Sequence, residues 1–249
     1  MKRLGLMVGL CVAIASIGTA HSAALTIQPG PEGLDSGTHP SNANAGDLVT
    51  KAFGSHVAVD NMRVFFKFHL DGLPTATRES LASPEGRATL TLHQKWQFSA
   101  PHGMSARVHR VTEAWDEATM TGVMRTATEA WTTPLGTFDP AVYDEAAWTF
   151  GPDWSPITFD VTDLVRGWVA GAFANHGMIL VPKTTKIVPP GSPTNNYGAI
   201  AFSDHPDPSI RPSLEISQVP VPGALPLALT AAAALGGLSR LSRRKERQA

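Results

Sequence analysis

Three histidines sit in stretches whose apolar residues repeat with period two: His69 in RVFFKFHL, His93 in ATLTLHQKWQF and His109 in SARVHRV. Val64, Phe66, Phe68 and Leu70 alternate in the first stretch, and Leu90, Leu92, Trp96 and Phe98 in the second. Each stretch therefore reads as a strand with its histidine on the side away from the apolar face. With Val108 taken as inward, His109 falls on the same polar side. If these strands are neighbours, the histidines join Arg63, Lys67, Lys95 and Arg107 on one polar-basic face. Three readings of that face stand side by side. It is the ordinary solvent side of an antiparallel sheet, it binds an acidic polysaccharide through charge-assisted hydrogen bonds, or, if the imidazoles converge, it holds zinc. Arg110 falls on the Val108 side, where a buried guanidinium needs a carboxylate partner.

Other residues carry chemistry less distinctly. Asp116/Glu117, Asp144/Glu145 and Asp160/Asp163 are carboxylate pairs. Glycoside hydrolysis needs two carboxyl groups facing across a cleft roughly 5 to 9.5 Å apart, which sequence spacing does not give. Helix capping accounts for Asp163 and a solvated turn for Asp116/Glu117. Trp115, Trp131, Trp148 and Trp154 are either stacking platforms for sugar rings or core residues. Asp35, Asp47, Asn42 and Asn44 offer oxygen ligands of the kind calcium takes, but match no EF-hand spacing and serve equally as turn formers. Gly-x-Ser-x-Gly, His-Glu-x-x-His and the phosphate-binding glycine loop are all missing, and with them the commonest catalytic signatures. Cys11 is the only cysteine and lies in the first apolar run. A chain without that run has no disulfide, no cysteine zinc site and no cysteine nucleophile. As a lipidation site Cys11 is poorly placed, because Leu10 stands where a small residue belongs.

The net charge of −1 over 249 residues hides an uneven distribution. Lys2, Arg3, Arg240, Arg243, Arg244, Lys245 and Arg247 crowd the two ends, so the body between them carries about −7. An acidic body argues against nucleic acid as a partner. Hydrophobic residues make up 43% of the chain, enough for a core, and Gly 22 with Pro 20 points to many turns between short strands.

The elements that position these residues read as follows. Residues 157–182 form the densest folding unit: an alternating strand (Ile157, Phe159, Val161), a short amphipathic helix capped by Thr162 or Asp163 and carrying Leu164, Val165 and Trp168, turns at Gly171 and Asn175-His176-Gly177, and an apolar strand from Met178 to Val181. Further strands are expected at Leu25–Ile27, 63–70, 88–98, 105–111, 197–202 and 212–216. Residues 29–47 read as a turn-rich surface stretch, and 183–197 and 203–211 as loops. Asp139-Pro140 opens a brief helix ending near Trp148. The expected fold is all-β: an antiparallel β-sandwich or jelly roll with short helical insertions, plus a C-terminal hydrophobic helix.

Both ends carry address signals. Lys2 and Arg3, the apolar run Leu4 to Ile17 and the small residues Gly18 to Ala24 match a secretory signal peptide over residues 1–24, with cleavage after Ala23 or Ala24. An uncleaved anchor is the alternative, for which the run is short. At the other end Pro220, Pro222 and Pro226 lead into an apolar segment to Leu238 and a basic cluster, the charge pattern of a membrane helix with its C-terminus in the cytoplasm.

This tail, VPVPGALPLALTAAAALGGLSRLSRRKERQA, resembles the PEP-CTERM sorting signal of exopolysaccharide-producing Gram-negative bacteria. The resemblance implies that residues 218–249 form a sorting tail. An exosortase would recognise Val219, Pro220, Val221 and Pro222 with the basic Arg243, Arg244 and Lys245. It implies passage through the secretion machinery, a transient stay in the inner membrane through the C-terminal helix, and delivery to the cell surface or extracellular matrix. The alternative is a plain tail anchor. Val219-Pro220-Val221-Pro222 lacks the glutamate of the Pro-Glu-Pro form. The body from 25 to 217 resembles DNRLRE-type domains in VFFKFHLDGLP, ATLTLHQ, VHRVTEAWDEATMTG, ITFDVTDLVRGWVAG, NHGMILVP and AFSDHPDPSIRPSLEI, in that order. It departs from them at Gly122-Val123 and over 126–156. Such domains are secreted sandwich modules similar to carbohydrate-binding modules, so the likeness implies a non-catalytic surface or matrix protein that binds polysaccharide. A purely structural matrix protein is the runner-up, and a polysaccharide lyase or hydrolase comes third. No cofactor is required on this reading, and calcium is the one ion the oxygen donors suit.

Overall fold

The computed structural model describes residues 24–28, 34–38, 50–56, 59–96, 103–149, 154–183 and 196–218. Within them the order is β1 (Leu25–Ile27), β2 (Leu34–Thr38), β3 (Thr50–His56), β4 (Val59–Lys67), α1 (Thr75–Ala82), β5 (Gly86–Trp96), β6 (Gly103–Arg110), β7 (Asp144–Thr149), β8 (Ser155–Asp160), α2 (Thr162–Val169), β9 (Met178–Pro182), β10 (Asn196–Ala201) and β11 (Ser213–Gln218). Every ladder is antiparallel. Sheet A joins β1, β11, β5, β10 and β3, with β8 on the other edge of β5; sheet B joins β2, β4, β9, β6 and β7. The start of β4 pairs with β3 in sheet A, while its end lies between β2 and β9 in sheet B. The protein is thus an all-β antiparallel sandwich with two short helices, as the period-two patterns predict. The expected signal segment, sorting motif and hydrophobic C-terminal helix fall on residues 1–23 and 219–249, outside the described residues. Among the described residues no helix is long and apolar enough to cross a membrane.

The main core lies between the sheets. Val64, Phe66 and Phe68 from β4 and its extension, Leu90 and Leu92 from β5, Val108 from β6, Ile157 and Phe159 from β8, Leu180 from β9 and Leu214 and Ile216 from β11 meet there. Leu164, Val165 and Trp168 bring the apolar side of α2 against the same cluster, the outcome expected of apolar residues at i, i+1 and i+4. The helix start differs from the expected cap. Asp160 accepts the Thr162 N–H at 2.9 Å, and the Thr162 hydroxyl is turned to the Ala88 N–H at 2.9 Å, so it ties α2 to β5. Arg166 extends the tie, donating to the carbonyls of Leu81, Ser83 and Gly86 at 2.8, 2.6 and 3.0 Å.

A second core lies on the outside of sheet B. Phe65 and Ile179 point away from the main core, yet both are fully buried under the segment 111–138 together with Val111, Trp115, Met120 and Trp131. The Phe65 ring stacks on Trp131 at 5.5 Å and meets the edge of Trp115 at 5.7 Å. Gly136 closes this cap with φ +107, and a Cβ there would lie 2.4 Å from the Phe65 ring, so only glycine fits. Leu135 beside it is, among the described residues, the one non-glycine residue with positive φ, 67°, and its carbonyl is held by Arg63 at 3.2 Å.

Three expectations are corrected. Residues 144–149 are strand β7 rather than a helix. Asp139 spends its carboxylate on the Ala141 N–H and on Arg110 instead of capping a helix, and β6 offers 144–149 an open edge. A helix not anticipated, α1, follows Pro74, whose carbonyl accepts the Thr77 and Arg78 N–H groups. Strands β2 and β3 arise in or beside the turn-rich stretch, and Asp35 falls in β2 opposite Phe66; Asn42, Asn44 and Asp47 lie outside the described residues.

Candidate functional site

The expected single basic face does not form, because its strands belong to different sheets. Arg63, Lys67, Arg107 and His109 come from β4 and β6, which flank β9 in sheet B. His93 and Lys95 come from β5 in sheet A. His69 is exposed beyond the end of β4. The three imidazoles do not converge, and among the described residues no group of His, Cys, Asp or Glu is placed to hold a metal.

On the sheet B side Arg63, His109 and Arg107 serve the structure, while Lys67 lies half-exposed at the end of β4. Arg63 lies against the Phe138 ring at 5.3 Å, and burial lowers its pKa from the usual arginine value. His109 is a correction to the solvent-facing reading. It is 5% exposed, with Nδ1 directed at the carbonyls of Asp139 and Ala141 at 3.1 and 2.9 Å. Burial depresses its pKa against those two bonds. Arg107 pairs with Glu145 at 2.8 Å and Lys183 takes the other carboxylate oxygen, so Glu145 stays ionised below the usual range, the Lys183 bond contributing most. Arg110 finds the carboxylate it requires in Asp139 at 2.6 Å and stacks over Phe173 at 4.3 Å.

The candidate carboxylates divide in the same way. Asp116 caps a turn at Thr119. Asp144, Asp160 and Asp163 do come together, with Arg87, Tyr143 and Arg166, around a surface notch of about 370 Å³. Most of the hydrogen bonds there hold the joint. Asp144 accepts the N–H groups of Glu145 and Asp160 at 2.8 and 2.7 Å, and Arg87 donates to the carbonyls of Pro84 and Gly86, both at 2.8 Å.

The outward side of sheet A is different. Along β5 the buried Leu90, Leu92 and Gln94 alternate with Thr91, His93 and Lys95, which are half-exposed. Along β8 the buried Ile157 and Phe159 put Trp154, Pro156 and Thr158 on that same outward side. Since Gln94 pairs with Ser155, the next pair in register is Lys95 and Trp154. The Lys95 ammonium stands 4.8 Å from the centre of the indole ring, within reach of cation–π attraction. Of the four tryptophans flagged above, Trp115 and Trp131 are core residues with indole N–H groups bonded to His176 O and Thr121 O at 2.8 and 3.1 Å. Trp148 packs on the main core against Phe159. Trp154 alone of these four pairs with a lysine at the surface. The loop 203–211 completes the patch: His205, 8% exposed, meets the Trp154 ring edge-on at 5.1 Å. Sequence reasoning missed His205, since nothing in SDHPDPSIR marks it beyond turn-forming residues.

No family model matches the chain, and no curated protein matches it either. The likeness to DNRLRE-type domains and to the PEP-CTERM signal rests on the residues quoted above.

Proposed function

We propose that this is an exported, non-catalytic surface or matrix protein that binds polysaccharide on the outward side of sheet A and is sorted by an exosortase. The observation that carries the binding reading is the Lys95–Trp154 pair, 4.8 Å from ammonium to ring centre on the outward side of sheet A. A half-exposed indole gives the apolar side of a sugar ring a flat contact, and the adjacent ammonium donates to hydroxyl or carboxylate oxygens. The polar row of Thr91 and Thr158 continues from it along the sheet. The export reading rests on residues 1–24 and 218–249 of the sequence.

Affinity electrophoresis through gels holding acidic or neutral polysaccharides tests the binding reading. Retardation of the wild type is expected, weakened about tenfold by Trp154→Ala and less by Lys95→Ala. No retardation in any gel overturns it. A purely structural matrix role then takes its place, and one observation already leans that way: Arg63, Arg107 and Arg110 are all engaged inside the molecule.

A further inference from the structure

His93, Lys95, Trp154 and His205 form one cluster, and three of its four members carry or can acquire positive charge. His93 and Lys95 stand two residues apart on the outward row of β5. Trp154 takes the Lys95 ammonium on its face and the His205 ring at its edge. An imidazole beside a stacking platform changes its charge over the pH range in which histidine titrates.

We propose that the Trp154 patch binds polyanionic polysaccharide and that its affinity rises as His93 takes up a proton. This rests on the reading of Trp154 and Lys95 as a glycan platform. The charges around the imidazoles come from Lys95 on β5 and from Asp204, Asp207 and Arg211 on the loop, while the facing residues of β8, Pro156 and Thr158, are uncharged. With His93 neutral these four charges cancel; with it protonated the patch carries a net charge of about +1. Asp207 is directed to the Ser209 N–H and hydroxyl at 2.9 and 2.7 Å, and Arg211 to the His205 carbonyl at 2.7 Å.

The geometry also explains why protonation needs help from a ligand. His93 Nδ1 is shielded from solvent with no hydrogen-bond partner among the described residues, and burial, opposed by a bond to the Ile210 carbonyl, lowers its pKa. His205 Nδ1 lies 3.2 Å from the Asp207 N, whose N–H it accepts, and 3.3 Å from the Asp207 carbonyl oxygen. An anionic chain lying on Trp154 offsets the cost at His93 by stabilising its imidazolium form. By linkage, protons then favour the anionic ligand to the same degree.

The test is titration calorimetry of the full chain with polygalacturonate, dextran sulfate and neutral dextran at about pH 7.5 and about pH 5.5, in buffers of different ionisation enthalpy. The expected result is an affinity for either polyanion about tenfold higher at the lower pH, with net proton uptake on binding and no such change for dextran. Polygalacturonate and dextran sulfate separate carboxylate from sulfate recognition. In His93→Gln the pH dependence and proton uptake should vanish. The wild-type proton uptake needs no variant, so it stands even if that variant folds poorly. Binding that is equal at the two pH values, or that favours dextran, overturns the proton-linked proposal and leaves the glycan platform standing. No binding to any polysaccharide at either pH overturns both.

Discussion

His93, His109 and His176 share a feature that acid will expose: burial is the leading cause lowering each imidazole's pKa. A histidine whose folded pKa lies below its unfolded value of about 6.5 binds fewer protons in the native state. Its stabilising contribution is complete above that pH and is lost as pH falls toward the folded pKa. Asp139, held down by the Ala141 N–H and Arg110, and Glu145, held down by Lys183 and Arg107, add the same sign of effect in the carboxylate range. The melting temperature should therefore begin to fall below about pH 6.5 and fall further below about pH 4. A flat profile between pH 7.5 and 5.5 would contradict the buried-imidazole account. Gly136 makes a sharper residue-scale case. Gly136→Ala puts a methyl group into the Phe65 ring at a positive φ, and should cost about 2 to 3 kcal/mol in chemical denaturation.

The cap 111–138 is the element whose behaviour best separates the two cores. Trp131→Ala should lower stability by about 3 kcal/mol and raise amide exchange within 111–138, with protection in β5, β8 and β11 little changed. Loss of protection throughout the sandwich would mean that the two cores unfold as one. This cap is also where the sequence was least legible. Trp115, Met120 and Trp131 are apolar but follow no period, so no local pattern says that they cover Phe65. Strands β4, β5, β6, β8, β9 and β11 were readable because Val64/Phe66, Leu90/Leu92, Ile157/Phe159 and Leu214/Ile216 alternate in place. Strand β7 was not, because Asp139-Pro140 imitates a helix start and the strand is fixed by the free edge of β6. The site followed the same rule. Alternation put His93 and Lys95 on an outward row, but only sheet membership shows that Arg63, Lys67, Arg107 and His109 stand on the opposite side of the molecule.

At the scale of the whole molecule the sandwich has unequal outer faces. Sheet B is covered by an apolar cap and stitched with ion pairs, whereas sheet A presents threonines, a lysine and a tryptophan. Binding should therefore be indifferent to the basic residues of sheet B. Arg63→Ala and Arg107→Ala should leave polysaccharide retardation unchanged, and a loss equal to that of Trp154→Ala would move the site to the other face. The pairing of β1 with β11 has a mechanical consequence. Leu25 lies opposite Ile216 and Ile27 opposite Leu214, so the first and last strands leave the body side by side at one edge. Tension applied at both ends peels β1 away one hydrogen bond at a time and then loads β11, instead of shearing the ladder as a whole. Under force the module should yield early and in steps, and a single disulfide bridging β1 to β11 should raise the force at which it opens.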